Sequence, residues 1–344
     1  MKLHSLGPRL AQIAGVTSLG MVLVSGCGTG TPSSLAKGPV STNTPSGTNV
    51  STGAQMGLIW NSSDSTLRTL VGVPGSTQLG PPLFPVGAYA AGAFAPLTQT
   101  GLLIDPKGNL QILILPSLVP STVAQSVSPA SVIAFAPHGG YAAVFAPGSA
   151  SVLMLSGLPQ APSVSTVSAS AAIQGVAVSD AGTMLLATGG ASTGVTVASI
   201  SASGTRSSLA SLAGYGGMNF IPGSEDSLIA DATANTLSRY HGGAATVLAT
   251  HANGLNQPFA VAASQDGHWA VTADQADSSL LRIDLTGATS PAQSTCGCSP
   301  TQLLSLSGNA VFELTPPAAM PGWMIEADGP TSRVLFIPPV RGGQ

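Results

Sequence analysis

The chain has 344 residues, of which 7% are charged and 4% aromatic, and its formal net charge is -3 at pH 7. No acidic or basic run occurs and no Lys/Arg cluster offers a footprint for nucleic acid, while so few aromatic residues make a poor base-stacking platform. The length admits two average domains or one large repeat domain.

At the N-terminus, Lys2 and Arg9 accompany a mostly apolar run of 15 residues, Leu10 to Val24, which leads into Val24-Ser25-Gly26-Cys27. A run this short suits a signal-peptide core better than a membrane span. The order of basic, apolar and Cys-terminated parts resembles a bacterial lipoprotein signal with its lipobox. That resemblance implies a signal peptide over residues 1–26 and lipidation at Cys27, with palmitate-like acyl chains that each bury methylenes worth about 0.8 kcal/mol. The alternative is an ordinary secretory signal that contains a Cys. Gly28 stands where some lipoproteins carry an inner-membrane retention Asp, so the resemblance points to the outer membrane, facing the periplasm or the cell surface. Residues 27–55 then read as a linker: 19 of the 28 residues after Cys27 are Gly, Ser, Thr or Pro. Such a segment cannot bury enough apolar surface to offset its ordering entropy, and its root-mean-square reach is roughly 30 Å.

From residue 56 to 340, short apolar runs alternate with turn residues, and no helical period lasts three turns. An apolar strand closed by a Pro, Asp or Ser turn recurs: Ala93-Phe94-Ala95-Pro96, Ala134-Phe135-Ala136-Pro137, Ala177-Val178-Ser179-Asp180, Asn219-Phe220-Ile221-Pro222, Ala262-Ala263-Ser264 and Glu313-Leu314-Thr315-Pro316. The spacings between successive second residues are 41, 43, 42, 43 and 51, the last interval holding an insertion around Cys296-Gly297-Cys298. Each anchor precedes two further strands, and one more such pair, Gly57–Trp60 with Leu67–Val71, precedes the first anchor. Seven second–third hairpins and six inner anchors result. A period near 42 with three or four strands per unit is that of a β-propeller blade. The predicted fold is all-β: a seven-bladed propeller, or a six-bladed ring with extra terminal strands. The first and last blades are expected to complete one another, with Asn49–Gln55 or Val340–Gln344 as candidate closing strands.

Gly175-Val176-Ala177-Val178-Ser179-Asp180-Ala181-Gly182 followed by Met184-Leu185-Leu186-Ala187, and the segment Ala260 to Gly267, resemble the strand–turn–strand unit of YVTN-type bacterial propellers, and more loosely WD and NHL repeats. The family's valine/aspartate strand survives at Leu281-Arg282-Ile283-Asp284, whereas the turns at Leu97–Thr100 and His138–Gly140 lack the acidic residue.

Few residues suggest chemistry. Cys296 and Cys298 are expected to form a local disulfide in an oxidising envelope. Reduced structural thiols, or a metal or redox pair completed by His251, are the alternatives. Asp64, Asp105, Asp231, Asp274, Asp277, Glu326 and Asp328 are placed in second–third turns. A carboxylate ring there could hold a divalent cation, but Asp also favours turns for its own backbone bonds. Asp180, Glu225, Asp226 and Asp266 fall on the opposite face. Arg68, Arg239, Arg282 and Arg333 are assigned to third strands with a solvated face, and His138 and His268 to exposed turns. Asn219 and Glu313 border the channel, where a catalytic or metal-binding residue would point, although a hydrogen-bonded structural role is the plainer reading. No Gly-x-Ser-x-Gly, His-Glu-x-x-His or phosphate loop occurs, and Gly189-Gly190 and Gly216-Gly217 lack the strand–helix context of a dinucleotide site. No cofactor is expected. The functional expectation is a monomeric, non-enzymatic, lipid-anchored module of the cell envelope that binds a protein or glycan. The alternatives are a metal-dependent lactonase- or lyase-type enzyme with its site in the channel, and an outer-membrane assembly factor.

Overall fold

The structure is a computed structural model that describes residues 55–339 apart from 62, 63, 96, 191, 192, 318 and 319. The signal segment, Cys27, the linker to residue 54 and the tail from 340 lie outside the described residues. Twenty-seven strands fall into seven antiparallel sheets, and the one helical turn among the described residues is a 3-10 turn at His251–Asn253. Blade 1 is β1 (Gln55–Asn61), β2 (Thr66–Val73) and β3 (Ser76–Pro82). Blade 2 is β4 (Ala91–Ala95), β5 (Thr100–Ile104), β6 (Asn109–Ile114) and β7 (Ser121–Ser126). Blade 3 runs β8 (Val132–Phe135), β9 (Tyr141–Phe145), β10 (Ser151–Ser156) and β11 (Ser163–Ser168). Blade 4 runs β12 (Ile173–Val178), β13 (Met184–Gly190), β14 (Gly194–Ile200) and β15 (Arg206–Leu212). Blade 5 is β16 (Tyr215–Phe220), β17 (Ser227–Asp231), β18 (Thr236–His241) and β19 (Ala244–Thr250). Blade 6 is β20 (Pro258–Ala263), β21 (Trp269–Asp274), β22 (Ser279–Asp284) and β23 (Ala292–Thr295). Blade 7 is β24 (Leu304–Ser305), β25 (Val311–Thr315), β26 (Gly322–Glu326) and β27 (Arg333–Ile337). Sheet order follows chain order in every blade. The chain is a seven-bladed β-propeller, which excludes the six-bladed alternative.

Packing explains why the strands read as near-continuous apolar runs. Alternate residues of a strand point to opposite faces, and each face of a second strand here meets another blade. Leu185 joins a cluster with Met218 and Phe220 of the next blade, while Met184 and Leu186 join one with Ala143 and Val152 of the preceding blade. Seven such clusters occur, one for each seam between consecutive blades, including the seam between the last and the first. At that closing seam Met56, Ile59 and Leu70 of blade 1 pack on Leu306, Val311, Met324 and Ile337 of blade 7. The Ser307 N–H donates to the Met56 carbonyl at 2.7 Å, and Asn61 Nδ2 donates to the Pro317 carbonyl at 2.6 Å.

The ends of the ring differ from the expectation, because the first and last blades were out of phase by one strand. The backbone N–H that closes each inner turn marks the true phase: Ala136 to Tyr141, Ser179 to Thr183, Ile221 to Asp226, Ser264 to Trp269 and Leu306 to Val311, all at 2.8–2.9 Å. Ser305 therefore corresponds to Ala263, 42 residues earlier, and the apparent 51-residue interval disappears. The true inner strand of blade 7 is the two-residue β24, too short and too polar to announce itself, and Glu313 sits on the second strand, β25. Likewise β1 is an inner strand, so Gln55 and Trp60 belong there. No strand is exchanged between the first and last blades among the described residues. The proposed closing strands, apart from Gln55, lie outside them. Blade 1 shows three strands, and its third ends in Gly80-Pro81-Pro82. Proline offers no N–H to a further partner and blunts an edge.

Glycine matters where blades crowd. A Cβ on Gly217, at φ 98°, would lie 2.8 Å from the Ala260 Cα of the neighbouring inner strand, and one on Gly175 would lie 2.0 Å from the Tyr215 hydroxyl.

Because apolar packing fills the closing seam, Ile59→Ala at this fully buried position should cost about 2–5 kcal/mol. Val86→Ala at an exposed site should stay within about 0.5 kcal/mol. Urea unfolding of the two variants measures both, and equal costs would mean the seam does not hold the ring.

Candidate functional site

The inner strands of all seven blades surround a central cavity of about 430 Å³, within the size range of small-molecule sites. Its lining is mostly Ala, Val, Leu and Phe, with Tyr215, Asn219, Gln265, Ser305 and Glu313 as the polar members. Five aromatic side chains reach it: Trp60, Phe94, Phe135, Tyr215 and Phe259, each half-buried. Asn219 Nδ2 lies 3.5 Å from the Val261 carbonyl of the next blade. Tyr215 is covered closely enough that burial raises its phenol well above the ordinary value.

Glu313 is the exception in this lining. Strand register places it where blades 2 to 6 carry Leu102, Ala143, Leu185, Leu228 and Val271, every one buried against the following blade. Its residue is 2% exposed, and its Oε1 has no hydrogen-bond partner. Burial in this apolar seam pushes its carboxyl up to about 8, because desolvation disfavours the charged form.

Most of the other charged groups hold turns and blades together. Asp180 accepts from the His138 N–H at 2.7 Å and from the Gly223 N–H at 3.0 Å, and its Oδ2 lies 2.6 Å from His138 Nδ1. One carboxylate thus spans three blades, and the turn at His138 that lacks its own acid uses that of the next repeat. Asp266 takes the Asn309 side chain at 2.8 Å and the Asn309 side chain also reaches Asp328 at 3.2 Å. Arg239 and His241 both bond Asp226. Burial works to raise the Asp226 carboxyl, but these two partners outweigh it and hold it below its ordinary value. Donation from the Thr286 hydroxyl, followed by backbone and Thr289 donors, outweighs burial and holds Asp284 down to about 2.

Several expectations need correction. Arg68 lies on β2, a second strand, and Arg333 on β27, a fourth. Arg68 and Arg282 are each only 7% exposed, so a solvated strand face does not describe them. Arg68 bonds Asp64 and the Gly80 carbonyl. Arg282 stacks 4.2 Å over Trp269 and donates to the Ala327, Gly329 and Pro330 carbonyls of the next blade. Arg333 pairs with Glu326. The strand shift also moves Asp64 to an inner turn and Glu326 and Asp328 to the third–fourth connection, so the seven acids do not share one face. Asp105 and Asp231 instead serve their own turns: Asp105 accepts from Lys107 and Asn109, and Asp231 from Ala213, Gly214, Thr233 and Ala234. Among the described residues no group of three or more His, Cys, Asp or Glu side chains is placed to hold a metal ion.

Cys296 and Cys298 adopt disulfide geometry across one residue, with Cα atoms 5.0 Å apart. Cys296 is buried in the seam between blades 6 and 7. His251 sits in the 3-10 turn before blade 6, its Nδ1 3.0 Å from the Leu255 carbonyl. The channel aromatics were not singled out from the sequence. The signal available was their placement near the ends of strands otherwise built from Ala and Gly.

No protein-family model and no curated protein matches the chain. Solved structures do resemble it. A functionally unknown protein from Desulfotomaculum acetoxidans DSM 771 is 12% identical with a TM-score of 0.59, covering 83% of this chain and 100% of that one. Streptogramin B lyase is 13% identical with a TM-score of 0.55, covering 80% of this chain and 87% of the lyase. At such identities the likeness is one of fold.

Two outcomes test the site. The folded state holds a proton on Glu313 that the unfolded chain releases near the ordinary value of 4.5. Stability should therefore be full below about pH 4.5 and fall until about pH 8, by an amount on the order of a few kcal/mol. Glu313→Gln should flatten that decline in denaturation profiles between pH 5 and 9, and an unchanged slope would remove Glu313 as its source. For the cysteines, thiol titration of the unfolded soluble domain begun after Cys27 should find no free thiol before reduction and two afterwards.

Proposed function

We propose that this chain is a non-enzymatic binding propeller of the bacterial cell envelope, held to the membrane by lipid on Cys27 and presenting one face to a protein or glycan. The proposed organisation is a signal peptide over 1–26, a linker over 27–55 and the propeller over 56–340. What carries the binding reading is the fate of the charged residues. Most are bonded within turns or between blades, and among the described residues the channel lining includes one carboxyl and no imidazole. Such a lining offers no nucleophile paired with a base, whereas a rigid ring of short loops is a ready recognition surface. The anchor reading is supported by Val24-Ser25-Gly26-Cys27 and the Gly/Ser/Thr/Pro-rich segment after it. The repeat unit at Gly175–Ala187 supports membership of the YVTN-type propellers, with the outer membrane as the location.

Expressed in a bacterial host fed an alkyne fatty acid, the wild-type chain should carry the label and sediment with membranes. Cys27→Ala should lose the label and leave the membrane fraction. Label retained by the variant, or never acquired by the wild type, would refute the lipid anchor.

A further inference from the structure

The channel carries a second recognition element that a face-binding propeller does not require. Five of the chain's 15 Trp, Tyr and Phe residues line this one cavity. Aromatic faces attract organic cations. Glu313 lines the same cavity, and its buried Oε1 is unpartnered. A buried polar atom without a partner is costly, and five other blades fill the equivalent position with an apolar residue. Among the described residues no Lys, Arg or His lines the channel to complete an internal ion pair. The blade 1 side of the seam offers Met56, Ile59 and Leu70, and Arg68 on the same face of β2 is taken by Asp64, Thr66 and the Gly80 carbonyl. The missing partner is therefore a cation from outside, on a body that suits an apolar wall.

We propose that the central channel binds a small organic ammonium, its apolar body against Trp60, Phe94, Phe135, Tyr215 and Phe259 and its charged nitrogen on the Glu313 carboxylate. Binding breaks and forms no covalent bond between the partners. Glu313 gives its proton to solvent as the ammonium arrives, and the ion pair replaces the neutral acid. Tyr215 is the other titratable group lining the channel, and burial keeps its phenol neutral over the pH range concerned. This inference goes beyond the face-binding reading and does not depend on the lipid anchor.

Calorimetric titration of the soluble propeller with 4-phenylbutylamine, 4-phenylbutanol and 4-phenylbutyrate tests it. The amine should bind about tenfold or more tighter than the alcohol, with the carboxylate weakest. Amine titrations at pH 7 in two buffers of different ionisation heat should show net proton release, approaching one per site. Glu313→Gln, checked for its fold by circular dichroism, should lose about tenfold or more of the amine affinity and keep that for the alcohol. An alcohol that binds as well as the amine, no amine heat at millimolar concentration, or an unaffected variant would overturn the proposal. Should the variant fail to fold, the wild-type ranking and proton release decide alone. Loss of fatty-acid labelling at Cys27 would leave these results untouched, so the two readings fail separately.

Discussion

The second strand of each blade must be covered on both faces, and neighbouring blades supply the cover. That constraint organises the rest. A blade with one face bare would expose a sheet of Leu, Val and Ala to water at roughly 25 cal/mol per Å². The seven apolar seams remove that cost all the way round, the closing seam included. Closure by packing, with no strand exchanged among the described residues, requires good complementarity between the first and last blades. The Ile59, Leu70, Met324 and Ile337 side chains supply it, each fully buried.

Charge is rare in this chain, and its distribution follows from the same architecture. Small inner strands bring adjacent turns close, so one carboxylate can serve two or three blades. Asp180 and Asp266 do so from corresponding turns. Arg282 reaches across a seam to three carbonyls while its stem lies on Trp269. The Arg282 contacts are buried or partly buried, where they are screened less by salt than surface pairs. They resist shear between blades that apolar contacts, being non-directional, resist less well.

Against that background Glu313 is the departure. Asn219 reaches the Val261 carbonyl of the next blade, whereas Glu313 keeps a carboxyl oxygen without a partner in an apolar seam beside an aromatic-lined cavity. Natural sequences break local rules most often where function requires it, and this one does so at the seam where the ring closes.

Much of the fold was legible in the residues. The 42-residue recurrence and the apolar strands closed by turn residues pointed to a propeller of seven blades, with six left open, because side-chain alternation and turn chemistry are local properties of the chain. The Cys296-Gly297-Cys298 pair and the Asn219 position beside the channel were visible in the same way. The phase of the terminal blades was not. A two-residue inner strand such as β24 carries no periodic signal, and Glu313-Leu314-Thr315-Pro316 imitates an inner anchor. Whether Trp60 faces the axis, whether Arg68 is solvated or buried, and which carboxyl is left alone depend on what covers each strand. Only the closed ring decides that, since the covering atoms come from repeats some 42 residues away in sequence.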